Sequence, residues 1–86
     1  MSGITQPQVQ ELTALAEQYT QQFNSDQVAG SMREAPGRYS GTITVGQLIT
    51  NLRDLAAAYG TGSVHTGTAA AWIAYAHATL ARLQGK

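Results

Sequence analysis

The sequence predicts a small all-α domain built from three helices. Three segments carry apolar residues at spacings of three and four, the period of a helix with one buried face. Two of them open on a capping box, in which a threonine precedes a glutamine by three residues. We expect helices at about 6–23, 44–59 and 67–84, with a long, partly ordered connection at about 24–43, all in one domain spanning 1–86.

The first predicted helix has a defined start and a continuous apolar stripe. Thr5 can cap it, Pro7 fits its first turn, and Gln8 completes the capping box. The stripe follows heptad-like spacings, as in a coiled-coil seam, so we expect this face to be available to a partner subunit. Its residues are Val9, Leu12, Leu15, Ala16, Tyr19 and Phe23.

The connection at 24–43 is rich in residues that favour turns. Pro36-Gly37 is typical of a turn, and Ser25 with Asp26 can cap a short helix that runs through Met32. An alternative places the β-branched stretches 38–45 and 63–66 in a two-stranded ribbon. We favour caps and turns, because threonine and glycine serve those roles equally well.

The second and third helices are expected to form a hairpin. Thr44 opens the second capping box, and Gly60 occupies the position where left-handed backbone commonly ends a helix. Thr66 or Thr68 is the expected N-cap of the third helix. The residues between, 60–67, form a connector rich in glycine, serine and threonine.

The composition excludes several classes of protein. Five basic and five acidic residues cancel, and only 12% of residues are charged, so the chain lacks the basic face of a phosphate-neutralising nucleic-acid-binding protein. Without cysteine there is no disulfide and no thiolate metal site. Because so small a core is marginally stable alone, we expect self-association into a homo-oligomer.

The sequence also predicts where the protein resides. Its first residues have neither the basic nor the apolar region of a signal peptide, and the longest stretch of low polarity, 69–76, is too short to span a bilayer. We therefore expect a cytoplasmic protein without membrane contact. The richness in alanine, threonine, glutamine and glycine is typical of a bacterial or phage protein.

No pattern of catalytic or metal-binding residues is convincing. His65 and His77 are twelve residues apart, which is not the spacing of a helical metal face. Glu11 and Glu17 point to different sides of one helix, and Ser63 lacks a triad around it. We expect no enzyme activity, no metal and no cofactor.

The connector has the strongest chemical signal. Glycines permit close backbone approach, and N–H groups and hydroxyls at a helix start favour anions, although no Walker A pattern is present. Arginine forks and a tyrosine ring from the preceding connection can complete such a site. A flexible turn with a capping threonine is the alternative. The predicted ligand-binding residues are Arg33, Arg38, Tyr39, Gly62, Ser63, His65, Thr66 and Thr68.

We therefore expect a self-associating, non-enzymatic binding protein that sequesters a small phosphate-bearing ligand, such as a nucleotide, at the connector and a subunit interface. A regulatory or anti-defence protein of a phage or bacterium would act in this way. The alternative is a protein-interaction module that acts on a protein partner through exposed aromatic and alanine-rich helix faces. The predicted interface residues are Tyr19, Phe23, Trp72, Tyr75 and Arg82.

Overall fold

The computed structural model describes residues 3–31 and 41–85, which form three helices and one small antiparallel sheet. The mainly helical class is confirmed, and the described ends of the helices lie within two residues of those predicted. No helix in these ranges combines the length and apolar character that a membrane-spanning segment needs. The elements are α1 (Gln6–Gln22), β1 (Val28–Ser31), β2 (Thr42–Thr44), α2 (Val45–Ala57) and α3 (Thr66–Gly85).

Both predicted capping boxes are formed. In α1 the Gln8 N–H donates to Thr5 Oγ1 at 3.3 Å, and the Thr5 N–H donates to Gln8 Oε1 at 3.0 Å. Thr44 and Gln47 exchange the equivalent bonds at 3.2 and 2.9 Å. Each box satisfies two backbone N–H groups, one at the cap itself and one in the first turn of the helix.

Helix α1 contacts both other helices and runs antiparallel to α2. The Gly46 N–H at the start of α2 donates to Ser25 O, just beyond the end of α1, at 2.8 Å. Helices α2 and α3 contact each other at few positions. The two helices are therefore held together through α1 rather than by the direct hairpin packing that the sequence predicted.

Helix α3 runs in the same direction as α1. Gln8, in the first turn of α1, donates through Nε2 to Thr66 O in the first turn of α3 at 3.1 Å. At the other ends, Gln84 Nε2 donates to Gln22 Oε1 at 2.6 Å. Their N-termini consequently lie side by side at one end of the molecule, where α2 ends.

The stripe of α1 faces the core of its own chain rather than a free surface. Leu12 and Tyr19 have no solvent exposure, and the Tyr19 hydroxyl donates to Ala76 O of α3 at 2.7 Å. This bond satisfies the polar end of a buried aromatic side chain. The buried cluster comprises Leu12, Leu15, Ala16, Tyr19, Ala29, Ile43, Val45, Leu48, Leu52, Trp72, Tyr75, Ala76 and Leu80.

Strand β1 replaces the short helix predicted after Ser25, and this prediction is wrong over Val28–Ser31. Gly30 is a poor helix former. The strand also gains donors from distant residues, since Arg82 Nη2 donates to Ala29 O at 2.7 Å and the Tyr75 hydroxyl donates to Ser31 O at 3.3 Å. Met32, the predicted end of that helix, lies outside the described residues.

The alternative prediction of a two-stranded ribbon is partly right. β2 falls within the predicted stretch 38–45, but it pairs with β1, with Gly30 opposite Ile43 and an irregularity between residues 28 and 30. His65, from the other predicted stretch, instead forms an isolated antiparallel bridge with Gly3. The bridge between Gly3 and His65 joins segments that are distant in sequence, and a local pattern does not specify such a pairing.

We expect Gly30→Ala to weaken the contact between β1 and α3. An added Cβ would lie 2.5 Å from Arg82 Nη2, so the guanidinium would have to leave Ala29 O. Losing this charged hydrogen bond should lower the free energy of unfolding by about 1–3 kcal/mol in urea denaturation. When Arg82 is already replaced by leucine, Gly30→Ala should cause little further loss of stability. An equal loss with and without Arg82→Leu would contradict this explanation. Gly85→Ala is the control, because its Cβ would meet nothing within 4 Å.

Tyr19 should make the fold sensitive to alkaline pH. Burial raises the pKa of its phenol far above the ordinary value, the neighbouring Tyr75 adds to the rise, and Arg82 opposes it. Because the folded state favours the neutral phenol, its contribution to stability is complete below pH about 10 and is lost above it, as the unfolded chain ionises. Denaturation between pH about 9 and about 11 should show a shallower decline for Tyr19→Phe than for the unsubstituted protein.

Candidate functional site

The connector between α2 and α3 is shaped by two glycines and a short network of hydroxyl groups. Gly60 and Gly62 have φ of 87° and 75°, values that other residues rarely adopt. Between them, Thr61 Oγ1 donates to Ala58 O at 2.7 Å and lies 2.7 Å from Ser63 Oγ. The left-handed backbone predicted at Gly60 is therefore present, and it turns the chain away from the end of α2.

His65, rather than Thr66 or Thr68, caps α3. Its Nδ1 accepts the Gly67 N–H at 3.1 Å, and its carbonyl oxygen accepts the Thr68 N–H at 3.0 Å. An accepting Nδ1 carries no proton, so the capping ring is the neutral form with hydrogen on Nε2. A Cβ at Gly67 would lie 3.2 Å from Nδ1, which shows why glycine suits this close approach.

Gln8 joins the starts of α1 and α3. Its Oε1 accepts the Thr5 N–H at 3.0 Å and the Thr66 hydroxyl at 2.9 Å, while its Nε2 donates to Thr66 O at 3.1 Å. The partly buried amide thus bonds at both ends. Thr66 is therefore a structural partner of α1 as well as a connector residue.

An open groove of about 590 Å³ lies between the connector and the segment before α1. Tyr59, with 47% of its surface exposed, is the large aromatic side chain of this groove. Glycine and threonine make up most of the other residues that line it. The lining residues are Gly3, Ile4, Thr5, Tyr59, Gly60, Thr61 and Gly62.

The predicted connector residues separate into three environments. Gly62 lines the groove. Ser63, His65 and Thr66 take part in the hydrogen bonds of the connector and of the α3 cap. Thr68 lines a different, smaller groove between α2 and α3, together with Trp72.

Three other predicted ligand-binding residues, Arg33, Arg38 and Tyr39, lie outside the described residues. Ser31 and Gly41, which flank that stretch, are near the start of α2, whereas the connector follows its end. The thirteen residues of α2 separate these two places by about 20 Å. Ser31 and Gly41 therefore lie away from the described residues that line the groove.

The predicted interface residues do not form one exposed surface. Tyr19, Trp72 and Tyr75 are buried in the core, and Phe23 packs partly buried against it. Arg82 is exposed but directs a guanidinium N–H to β1. Among the described residues the exposed large hydrophobic side chains are Val28 and Tyr59, and Val28 belongs to the sheet rather than to the groove.

His77 forms a bond across two helices that its position in the sequence does not reveal. Its Nε2 lies 2.7 Å from Glu11 Oε2, and each side chain is about half exposed, at 53% and 48%. Within the described ranges, no group of three or more histidine and carboxylate residues is placed to hold a metal ion. This pair links α1 to α3 at the surface.

Sequence reasoning missed the N-terminal wall of the groove and the role of Tyr59. Tyr59 continues the apolar stripe of α2 by spacing, but the helix ends at Ala57, so its ring is not carried into the core. The feature of the sequence that could have indicated this exposure is the position of Tyr59 directly before Gly60. Gly3, Ile4 and Thr5 had no signal of this kind, because their approach to the connector depends on the packing of α1 beside α3.

Comparison of the chain with protein-family models, with curated proteins and with solved structures gives no match.

We expect Gln8→Ala to loosen the end of the molecule that carries the groove. The substitution removes three side-chain hydrogen bonds to Thr5 and Thr66. The free energy of unfolding should fall by roughly 1–3 kcal/mol, and hydrogen exchange should accelerate in the first turn of α3. Gln10→Ala, at an exposed position on the same helix, should change neither quantity. Unchanged exchange in Gln8→Ala would show that other contacts hold these helix starts together.

Proposed function

We propose that the protein is a non-enzymatic binding protein that holds a small nucleotide-like ligand in the connector groove. The observation that carries this proposal is the exposed ring of Tyr59 beside two glycines of positive φ in an open groove. A half-exposed aromatic ring offers a face on which a nucleobase can stack. The glycines let a ligand approach the backbone without meeting a side chain.

The hydrogen-bonding groups of the groove support the same proposal. The N–H groups of Tyr59 and Thr61 donate to Ala56 O and Ala58 O, whereas those of Gly60 and Gly62 have no acceptor among the described residues. These two N–H groups can donate to a phosphate or sugar oxygen. The groove therefore combines a stacking surface with backbone donors, which is the combination that a nucleotide needs.

The chemistry of the lining favours binding over catalysis. Its side chains supply hydroxyl, phenol and aliphatic groups, and none of its seven residues is a carboxylate, a histidine or a lysine. General acid–base catalysis near neutral pH uses a group whose protonation changes there. A groove of this composition can hold a small molecule but has no side chain suited to moving its protons at that pH.

The test is calorimetric titration of the whole chain with the four nucleoside 5′-monophosphates and the corresponding nucleosides. Tyr59→Leu should lower the affinity of the best ligand about tenfold, because base–aromatic stacking is lost. Tyr59→Phe should retain that affinity, since it keeps the ring. If none of the eight compounds binds and the protein instead binds a protein partner, the result would favour the protein-interaction alternative.

A matched pair of glycine variants separates the groove from general backbone strain. Gly62→Ala and Gly41→Ala both place a side chain at positive φ, and in neither case would the Cβ meet an atom within 4 Å. Only Gly62 lines the groove. Both variants should lose a similar amount of thermal stability, but only Gly62→Ala should weaken binding.

A further inference from the structure

We infer that the ligand of the connector groove carries little charge, at most the single negative charge of a phosphodiester. This inference rests on the proposed function, because it assigns the class of nucleotide-like molecule that the groove accepts. It differs from the prediction made from the sequence, in which arginine side chains would neutralise a phosphate group.

The described residues of the groove wall carry no formal charge. All seven lining residues are uncharged, so no described cation faces a ligand there. Within the described residues, the one close contact of a carboxylate with a basic side chain joins Glu11 to His77, and neither partner lines this groove. A multiply charged ligand would gain no counter-charge from these residues to offset the hydration that it loses on binding.

The helix ends around the groove also offer little attraction to an anion. The starts of α1 and α3 would favour an anion, but Thr5 Oγ1 and His65 Nδ1 already accept an N–H group in each first turn. Helix α2 ends beside the same groove and has no basic residue in its last turn. Its terminal carbonyl groups disfavour an anion, so the helix dipoles at this end partly cancel.

The remaining donors suit one weakly charged group. The Gly60 and Gly62 N–H groups can donate to the oxygens of a single phosphodiester or to sugar hydroxyls. Most of the affinity then comes from stacking on Tyr59, a neutral interaction that is insensitive to salt. The expected class is a nucleoside or a singly charged nucleoside phosphodiester, rather than a nucleoside diphosphate or triphosphate.

The experiment keeps the base constant and varies the charge. The probes are adenosine, adenosine 3′,5′-cyclic monophosphate, AMP, ATP and inorganic pyrophosphate, titrated without Mg²⁺ near neutral pH so that ATP keeps its full charge. If adenine is not the preferred base, the same series is made with the base that binds best. Adenosine and the cyclic monophosphate should bind within about threefold of each other, and ATP about tenfold more weakly.

Salt dependence provides the second measurement. Affinity for the cyclic monophosphate should change less than about twofold between about 50 and about 500 mM NaCl, because no cation pairs with its phosphate. Tyr59→Leu should weaken adenosine and the cyclic monophosphate by the same factor. Affinity that rises from adenosine to ATP, binding of pyrophosphate alone, or a tenfold loss at high salt would overturn the low-charge inference.

The two proposals fail in distinguishable ways. Tight ATP binding that still depends on Tyr59 would retain the nucleotide-binding function and remove the low-charge inference. No binding by any nucleoside or nucleotide would remove the proposed function and the inference together.

Discussion

The fold depends on the inward face of α1. This helix is the common partner of α2 and α3, which contact each other little. Tyr19 illustrates the constraint, since its ring is fully buried and its hydroxyl bonds to the backbone of α3. Because α1 packs against two helices of its own chain, its apolar stripe is buried there. The heptad-like stripe that predicted contact with a partner subunit is therefore used within the chain. Self-association remains a prediction that requires another surface.

Features set by neighbouring residues were predictable, and those set by distant residues were not. The two capping boxes each involve residues three apart, so the sequence predicts where α1 and α2 begin. Strand β1 is different, because its carbonyl groups meet Tyr75 and Arg82 from α3, 44 and 53 residues away. Nothing within Val28–Ser31 indicates those donors, although Gly30 gives room for the guanidinium.

The same division applies to the candidate site. The glycine-rich connector and the left-handed backbone at Gly60 follow from local composition. The N-cap of α3 does not, because threonine is the commoner cap and His65 acts there only with a glycine two residues later. The groove itself needs a second wall from residues 3–5, which reach it because α1 and α3 start side by side. Composition thus indicated the place but neither its aromatic side chain nor its lack of charge.

The contact between the N-terminal segment and the start of α3 has a consequence for how the groove forms during synthesis. Gln8 and Thr66 are 58 residues apart, and Gly3 pairs with His65. The groove therefore has a high contact order and cannot close on the ribosome until the start of α3 has emerged. Tyr59 is exposed and does not belong to the buried cluster that joins α1 to α2. Closure of the groove consequently reports that the start of α3 has packed beside α1.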